Sequence, residues 1–159
     1  MVAKFTHMDD EGKAAMVDVG EKATTRRRAV AEGEVRFNEE AFRALRENRL
    51  GKGDAIAVAR LAGIQAAKRT QEWIPLCHSV PLDHIAVGVE LLDERRSAHV
   101  TAEAHARWTT GVEMEALVAV SAACLTLYDM AKAVDRSITI EGVRLLEKEG
   151  GRSGKWKRE

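Results

Sequence analysis

The sequence predicts an α+β chain with one folded domain: an antiparallel sheet with helices packed on one face. Three observations carry that prediction. Partial apolar–polar alternation marks four strand-like runs. Two stretches have the nearly all-round apolar character of buried helices. The order of these elements is strand, helix pair, two strands, long helix, strand, which approximates a β-α-β-β-α-β unit.

Taken in order, residues 1–22 are small and polar without periodicity and read as a flexible tail. Arg26–Phe37 partly alternates and reads as the first strand. Asn38 is a good N-cap for NEEAFRALREN, where Phe42 and Leu45 give a short amphipathic helix its apolar face. Leu50-Gly51-Lys52-Gly53 ends that helix, and Asp54 caps a second one reaching about Arg69. Its apolar circumference (AIAVARLAGIQAAK) places it in the interior or at a subunit interface. Pro75 and Pro81 bracket the loop IPLCHSVPL. HIAVGVELL and AHVTAEAHA follow as strands joined by the polar turn Asp93–Ser97. The long helix spans Gly111–Val134 and SITIEGVRLLEK is the last strand. Residues 151–159 read as a flexible basic tail, which leaves 23–150 as the folded domain.

Composition narrows the function classes. At 159 residues the chain can bury a real core. Lys plus Arg and Asp plus Glu both number 25, so there is no basic excess of the kind a dedicated nucleic-acid binder shows. Aromatic residues, at 4%, leave few platforms for stacking bases. Cys77 and Cys124 form no CxxC pair, so the expectation is a reduced cytoplasmic protein without a structural disulfide or zinc site. No signal peptide and no uncharged membrane-spanning run is expected, and no constellation of protein ligands for a metal is visible.

The long helix carries charges that its apolar sequence does not call for. Burying an unpaired charge costs several kcal/mol, roughly, yet Glu113 and Glu115 stand at one end and Asp129 and Lys132 at the other. Thr110 with Glu113 matches a capping box, so Glu113 has a structural role open to it. Glu115 has no such role, although the helix dipole favours both acids. A ligand at this acidic end should present donors, such as the N–H and amino groups of a guanine-like ring. Asp129 and Lys132 are three residues apart and form either a solvated ion pair or an acid/base pair. Their neighbours Leu127, Tyr128, Met130 and Ala131 are largely apolar and favour the second. Glu115 and Asp129 are separated by about 21 Å of helical rise and about 40° of rotation. Either the ligand is long, or the two ends serve sites that a second subunit completes; the second is the preferred reading.

Other candidates carry two readings each. Lys52 sits between glycines before a helix start, where backbone amides are open to an anion, or it is simply an exposed turn lysine. Lys68 and Arg69 complement a helix C-terminus or hold phosphate. His78 is either a satisfied polar residue or a proton-handling group, and Cys77 beside it reads as wall rather than nucleophile. Arg26, Arg27, Arg28, Lys148, Arg152 and Lys155 are basic surface or further phosphate contacts.

Six blocks in order resemble one family. They are Met16-Val17-Asp18-Val19 with Lys22, Lys52-Gly53-Asp54, Ala62 to Thr70 (AGIQAAKRT), Ile74 to His78 (IPLCH), Thr110 to Leu117 (TGVEMEAL) and Tyr128-Asp129-Met130 with Lys132-Ala133. The chain is similar to the cyclic pyranopterin monophosphate synthase family (molybdenum cofactor biosynthesis protein C) from about Thr6 to Gly154. The resemblance implies a ferredoxin-like α+β subunit assembled as a homohexamer, a trimer of dimers, with active sites at dimer interfaces. It implies a phosphorus–oxygen lyase that converts (8S)-3′,8-cyclo-7,8-dihydroguanosine 5′-triphosphate to cyclic pyranopterin monophosphate and pyrophosphate. The alternative is a non-catalytic guanine-nucleotide-binding regulator. By resemblance, Asp129, Lys132 and Lys52 are catalytic. Leu76, Cys77, His78, Glu113, Met114, Glu115 and Lys68 bind substrate. No cofactor is required, and any Mg2+ would accompany the substrate triphosphate. Two departures alter loops at the pocket edge: Trp108 and Thr109 stand where the family often has glycine and lysine, and Ser79 where proline is common.

Overall fold

The computed structural model describes residues 12–152 and 154–159, so the first half of the proposed N-terminal tail lies outside the described residues. The elements are β1 (Thr25–Arg36), α1 (Glu39–Arg46), α2 (Ala55–Ala67), α3 (Thr70–Trp73), β2 (His84–Leu92), β3 (Ser97–Trp108), α4 (Glu113–Ala131), β4 (Thr139–Glu149) and β5 (Trp156–Lys157). The sheet order is β2-β3-β1-β4-β5, and every neighbouring pair is antiparallel. β1 and β2 therefore run the same way with β3 between them, and β3 and β4 run the same way with β1 between them. Two interleaved β-α-β units make the predicted α+β sheet with its helices on one face.

Alternation along β1 and β3 decides which face is covered. Ala29, Ala31 and Val35 of β1 pair in register with Ala104, Ala102 and Ala98 of β3, and all six are buried. The intervening residues of both strands, among them Arg28, Glu32, His99 and Glu103, sit on the opposite, charged face. α4 lies on the apolar face with Ala116, Ala119, Val120, Ala123, Cys124 and Leu127 buried. By length and composition α4 is apolar enough to cross a membrane, but it is the core helix of this domain and is mostly buried within it.

Small side chains set how close the layers come. At Gly33 a Cβ would meet Val120 Cγ1 at 2.8 Å, so β1 must carry glycine where α4 crosses it. On the other flank, Ala59, Gly63, Ala66 and Ala67 turn α2 inward, and a Cβ on Gly63 would lie 2.8 Å from the Ala119 carbonyl of α4. The nearly all-round apolar α2 predicted from sequence is thus buried on one side only: Val58 and Leu61 remain exposed.

Junctions follow the expected capping in two of three cases. Asn38 Oδ1 accepts from Ala41 N at 2.8 Å and Asp54 Oδ1 accepts from Ala57 N at 2.9 Å. The capping box at Thr110 is not formed. The N-cap residue is Val112, with no side-chain cap, and Glu113 is drawn instead to Lys148 of β4. The helix also ends at Ala131 rather than Val134. Just beyond it, the buried Asp135 carboxylate accepts from Asn38 N, Ser137 N and Ser137 Oγ, each at 2.7 Å. That one side chain ties the end of α4 to the start of α1.

Other differences are local. α3 was not expected, a 3-10 turn fills Asp93–Arg95, and Trp156–Lys157, placed in the tail by sequence, pair with Lys148 and Glu147 of β4. At the opposite sheet edge, Arg60 of α2 donates from Nε to the Val87 carbonyl of β2 at 3.2 Å. Gly63→Val should cost about 1–3 kcal/mol or more by overpacking the α2–α4 contact. Urea unfolding of the variant against the parent chain measures it, and an unchanged midpoint would contradict the close approach.

Candidate active site

The C-terminal turn of α4 and the loop before α2 build the first cluster. Asp129 accepts from Lys132 Nζ at Oδ1 and from Lys52 Nζ at Oδ2, both at 2.6 Å, and Lys52 Nζ also reaches the Asp129 carbonyl at 3.1 Å. Lys52 is placed by its glycine-flanked turn: Gly53 has φ +96°, with its N–H bonded to Leu50 O. Hydrogen bonds from Lys132 and then Lys52 hold the Asp129 carboxyl down to about 2, and the same carboxylate raises the Lys132 ammonium. At any pH near neutrality the cluster is a carboxylate clamped by two ammoniums. The apolar surroundings expected from sequence are absent: the Asp129 side chain is 52% exposed and both lysines lie open. The apolar neighbours point inward, because a helix turns Leu127 and Met130 towards the core and Asp129 away from it.

Asp129 also borders a shallow hollow of about 450 Å³ between α2, α3 and α4, lined by Ala62, Arg69, Trp73 and Leu125 among others. Trp73 and Leu125 are each about half exposed around it, at 47% and 53%. Large apolar side chains left uncovered beside a charged cluster are the signature of a contact surface.

The other end of α4 builds the second cluster. Leu76, Cys77 and His78 line a small hollow of about 190 Å³ together with Glu113, Met114 and Glu115, with Val80, Thr110 and Gly111 completing the wall. His78 Nε2 lies 2.8 Å from the Val17 carbonyl, so it donates to the backbone of the N-terminal segment and fixes the ring. Burial, then the charges of Glu115 and Glu113, push the Cys77 thiol up, so it remains wall rather than nucleophile. Glu115 is only 3% exposed. Burial raises its carboxyl to about 7, a bond from its own backbone N–H opposes this, and Glu113 adds to it. Glu113 is compensated by Lys148 at 3.0 Å.

A larger open hollow of about 760 Å³ continues from this cavity, sharing Thr110, Gly111 and Glu113 with it. Lys22, Arg27, Arg28, Lys148 and Arg152 line it. Arg27 donates to the carbonyls of Trp108 (3.2 Å) and Thr109 (3.0 Å), which orients its guanidinium without neutralising it. Arg27 and Lys148 are the groups that sequence reasoning left among six undifferentiated cations. Charge at a strand end carries no period, so only the pairing of β1 with β3 and β4 singles them out. Lys68 is not brought into any of these hollows; it is the exposed C-cap of α2.

Comparison with known proteins bears on the same residues. Positions 16–151 match the model of the MoaC family. A cyclic pyranopterin monophosphate synthase of Thermomicrobium roseum is 52% identical over 99% of this chain and 95% of its own length. Proteins of the same name from Brucella ovis and from Methylobacterium sp. strain 4-46 are each 53% identical over 98% of this chain, covering 94% and 97% of theirs.

The raised Glu115 carboxyl makes a stability prediction. With its proton held more tightly in the folded chain than at its ordinary value of 4.5, stability is fully present below about pH 4.5 and is lost as pH rises to about 7. Glu115→Gln removes that loss, so at pH 8 the variant should be more stable by up to roughly 3 kcal/mol, and near pH 4 by almost nothing. Urea titrations at pH 4, 6 and 8 read the difference directly.

Proposed function

The chain belongs to the MoaC family, and from that premise we propose that it is a cyclic pyranopterin monophosphate synthase of molybdenum cofactor biosynthesis. It acts on 3′,8-cyclo-7,8-dihydroguanosine 5′-triphosphate, forms cyclic pyranopterin monophosphate and releases pyrophosphate, as a phosphorus–oxygen lyase in the cytoplasm. The observation that carries this reading is the Asp129 carboxylate held by Lys52 and Lys132 at 2.6 Å each.

That cluster suits a reaction combining proton movement with loss of an anion. In the empty site Asp129 is a weak base, because both ammoniums stabilise its charge. A polyphosphate beside the cluster competes for the lysines. As they turn to its oxygens, Asp129 returns toward ordinary carboxylate basicity and can accept a proton from a hydroxyl. A ribose-derived hydroxyl attacks the α-phosphorus, the bond to the β-phosphate oxygen breaks, and Lys52 and Lys132 take up the negative charge that leaves. The same groups serve the proton transfers of ring opening and closure. Among the described residues no group of His, Cys, Asp and Glu could hold a metal ion. We propose that any Mg2+ accompanies the substrate triphosphate, held mainly by phosphate oxygens and water.

The cavity at the other end of α4 binds the guanine-derived ring through Glu113 and Glu115, with Leu76, Cys77 and Met114 as walls. The separation of about 21 Å along one helix supports a site shared between subunits, so that each ring cavity faces a lysine cluster from a neighbour. The uncovered Trp73 and Leu125 beside Asp129 supply apolar surface that such an assembly would bury. We propose a homohexamer built as a trimer of dimers.

Two experiments test this reading. Asp129→Asn and Lys132→Ala should each lower turnover of the cyclic dihydro-GTP substrate at least about a hundredfold, followed by pyrophosphate release and pterin product, with circular dichroism unchanged. Normal turnover in either would defeat the assignment. Leu125→Glu, on the uncovered face, should reduce the mass seen by light scattering and reduce turnover with it. An intact hexamer in that variant would move the interface elsewhere.

A further inference from the structure

The Lys52–Asp129–Lys132 cluster lies open, so packing does not hold its shape. All three side chains are about half exposed, and where the ammoniums stand against the carboxylate is set by the backbone that carries them. Asp129 and Lys132 ride on the last turn of α4. Lys52 arrives separately, on the turn that follows α1, and the position of α1 decides whether it reaches Asp129. Among the described residues α1, unlike α2 and α4, brings its backbone close to no other element along any length. Its buried Phe42 and Leu45, with Leu50 beyond, press it onto the core, but apolar burial is non-directional and tolerates sliding.

The direction of α1 is set at its start. On the strand side the chain is anchored as far as Phe37, whose N–H donates to Arg96 O at 3.0 Å. The next N–H, that of Asn38, donates to Asp135 Oδ2 at 2.7 Å, while Asp135 Oδ1 accepts from Ser137 N and Ser137 Oγ at 2.7 Å each. The N–H of Asp135 donates in turn to Ala131 O at 3.1 Å, at the end of α4. A carboxyl only 2% exposed therefore joins the turn beyond Lys132 to the helix that delivers Lys52. Burial works against its charge, yet the donors from Ser137 and Asn38 hold it below its usual range, and bonds to an ionised acceptor are short and strong. We propose that Asp135 is a positioning residue for the cluster: by bonding Asn38 and Ser137 at once, it sets the placement of Lys52 and Lys132 against Asp129. Its effect on turnover rests on the proposed function of the cluster; the placement itself can be read without substrate.

Asp135→Asn keeps the shape of the side chain but turns one acceptor towards its donors as a donor. Competitive acetylation of the whole protein with acetic anhydride, followed by peptide mass spectrometry, reads each lysine separately, with the exposed Lys155 as internal reference. In Asp135→Asn, Lys52 and Lys132 should react about threefold faster or more, as ammoniums do on losing a carboxylate partner. Turnover of the cyclic dihydro-GTP substrate should fall about tenfold or more, because small misplacements of reacting groups are costly. Val35→Ala, which loosens the core from the sheet side, controls for lost stability and should keep the parent's labelling ratios and turnover. Ser137→Ala removes one of the donors to Asp135 and should move both readouts the same way by less; should Asp135→Asn not fold, it is judged by the same criteria. Parental labelling or parental turnover in folded Asp135→Asn overturns the inference, as does an equal change in Val35→Ala. If the parent chain turns over no substrate while the labelling changes as expected, the proposed function fails and the positioning of the two lysines by Asp135 stands.

Discussion

The rest of the structure depends on how closely α4 packs between the sheet and α2. Alanine is the commonest residue on its buried faces, the sheet beneath it is mainly alanine with Gly33 on β1, and the facing side of α2 is alanine around Gly63. Small residues give up buried area per side chain but bring backbones close, where dispersion contacts are many and the helix has no freedom to slide. A rod clamped in this way carries its two charged ends at a fixed separation and a fixed mutual rotation. Everything chemical in this domain is positioned from that rod.

The two ends are electrostatic opposites. At the C-terminal end, two ammoniums surround a carboxylate in open solvent, so the acid is fully ionised. At the N-terminal end, two acids line one small hollow; Lys148 bonds the first of them, and among the described residues no ion pair is formed by the buried second. The same functional group, a carboxyl, is thus given two characters by its environment, one as a permanent charge and one as a group that burial pushes up to about 7. Sites that combine ring recognition with loss of a polyphosphate anion need both.

Much of this was legible in the sequence, and the reasons are specific. Strands β2 and β3 were readable because one sheet face is apolar and the other charged, which leaves alternation. Asn38 and Asp54 were readable as caps because their side chains bond within three residues. The capping box at Thr110 fails for the opposite reason: the Glu113 carboxylate of α4 has a local bond open to it in sequence, whereas Lys148 of β4, 35 residues away, claims it. The open setting of Asp129 and Lys132 was missed because apolar neighbours in sequence do not face the same way on a helix. Lys68 stands in a matching block, but which way it points needed the structure, where it is the exposed C-cap of α2. Arg27 needed the sheet register before it could be told from its neighbours.

The bond from Arg60 to the Val87 carbonyl bears on how the chain behaves in crowded solution. β2 is an outer strand, and outer strands offer unpaired backbone groups to any other extended chain. A guanidinium laid over one of those carbonyls, from a helix packed behind the strand, occupies an acceptor that an invading strand would use and places a charge in its path. At that one point of the outer strand, a second strand would have to displace the Arg60 guanidinium before it could pair.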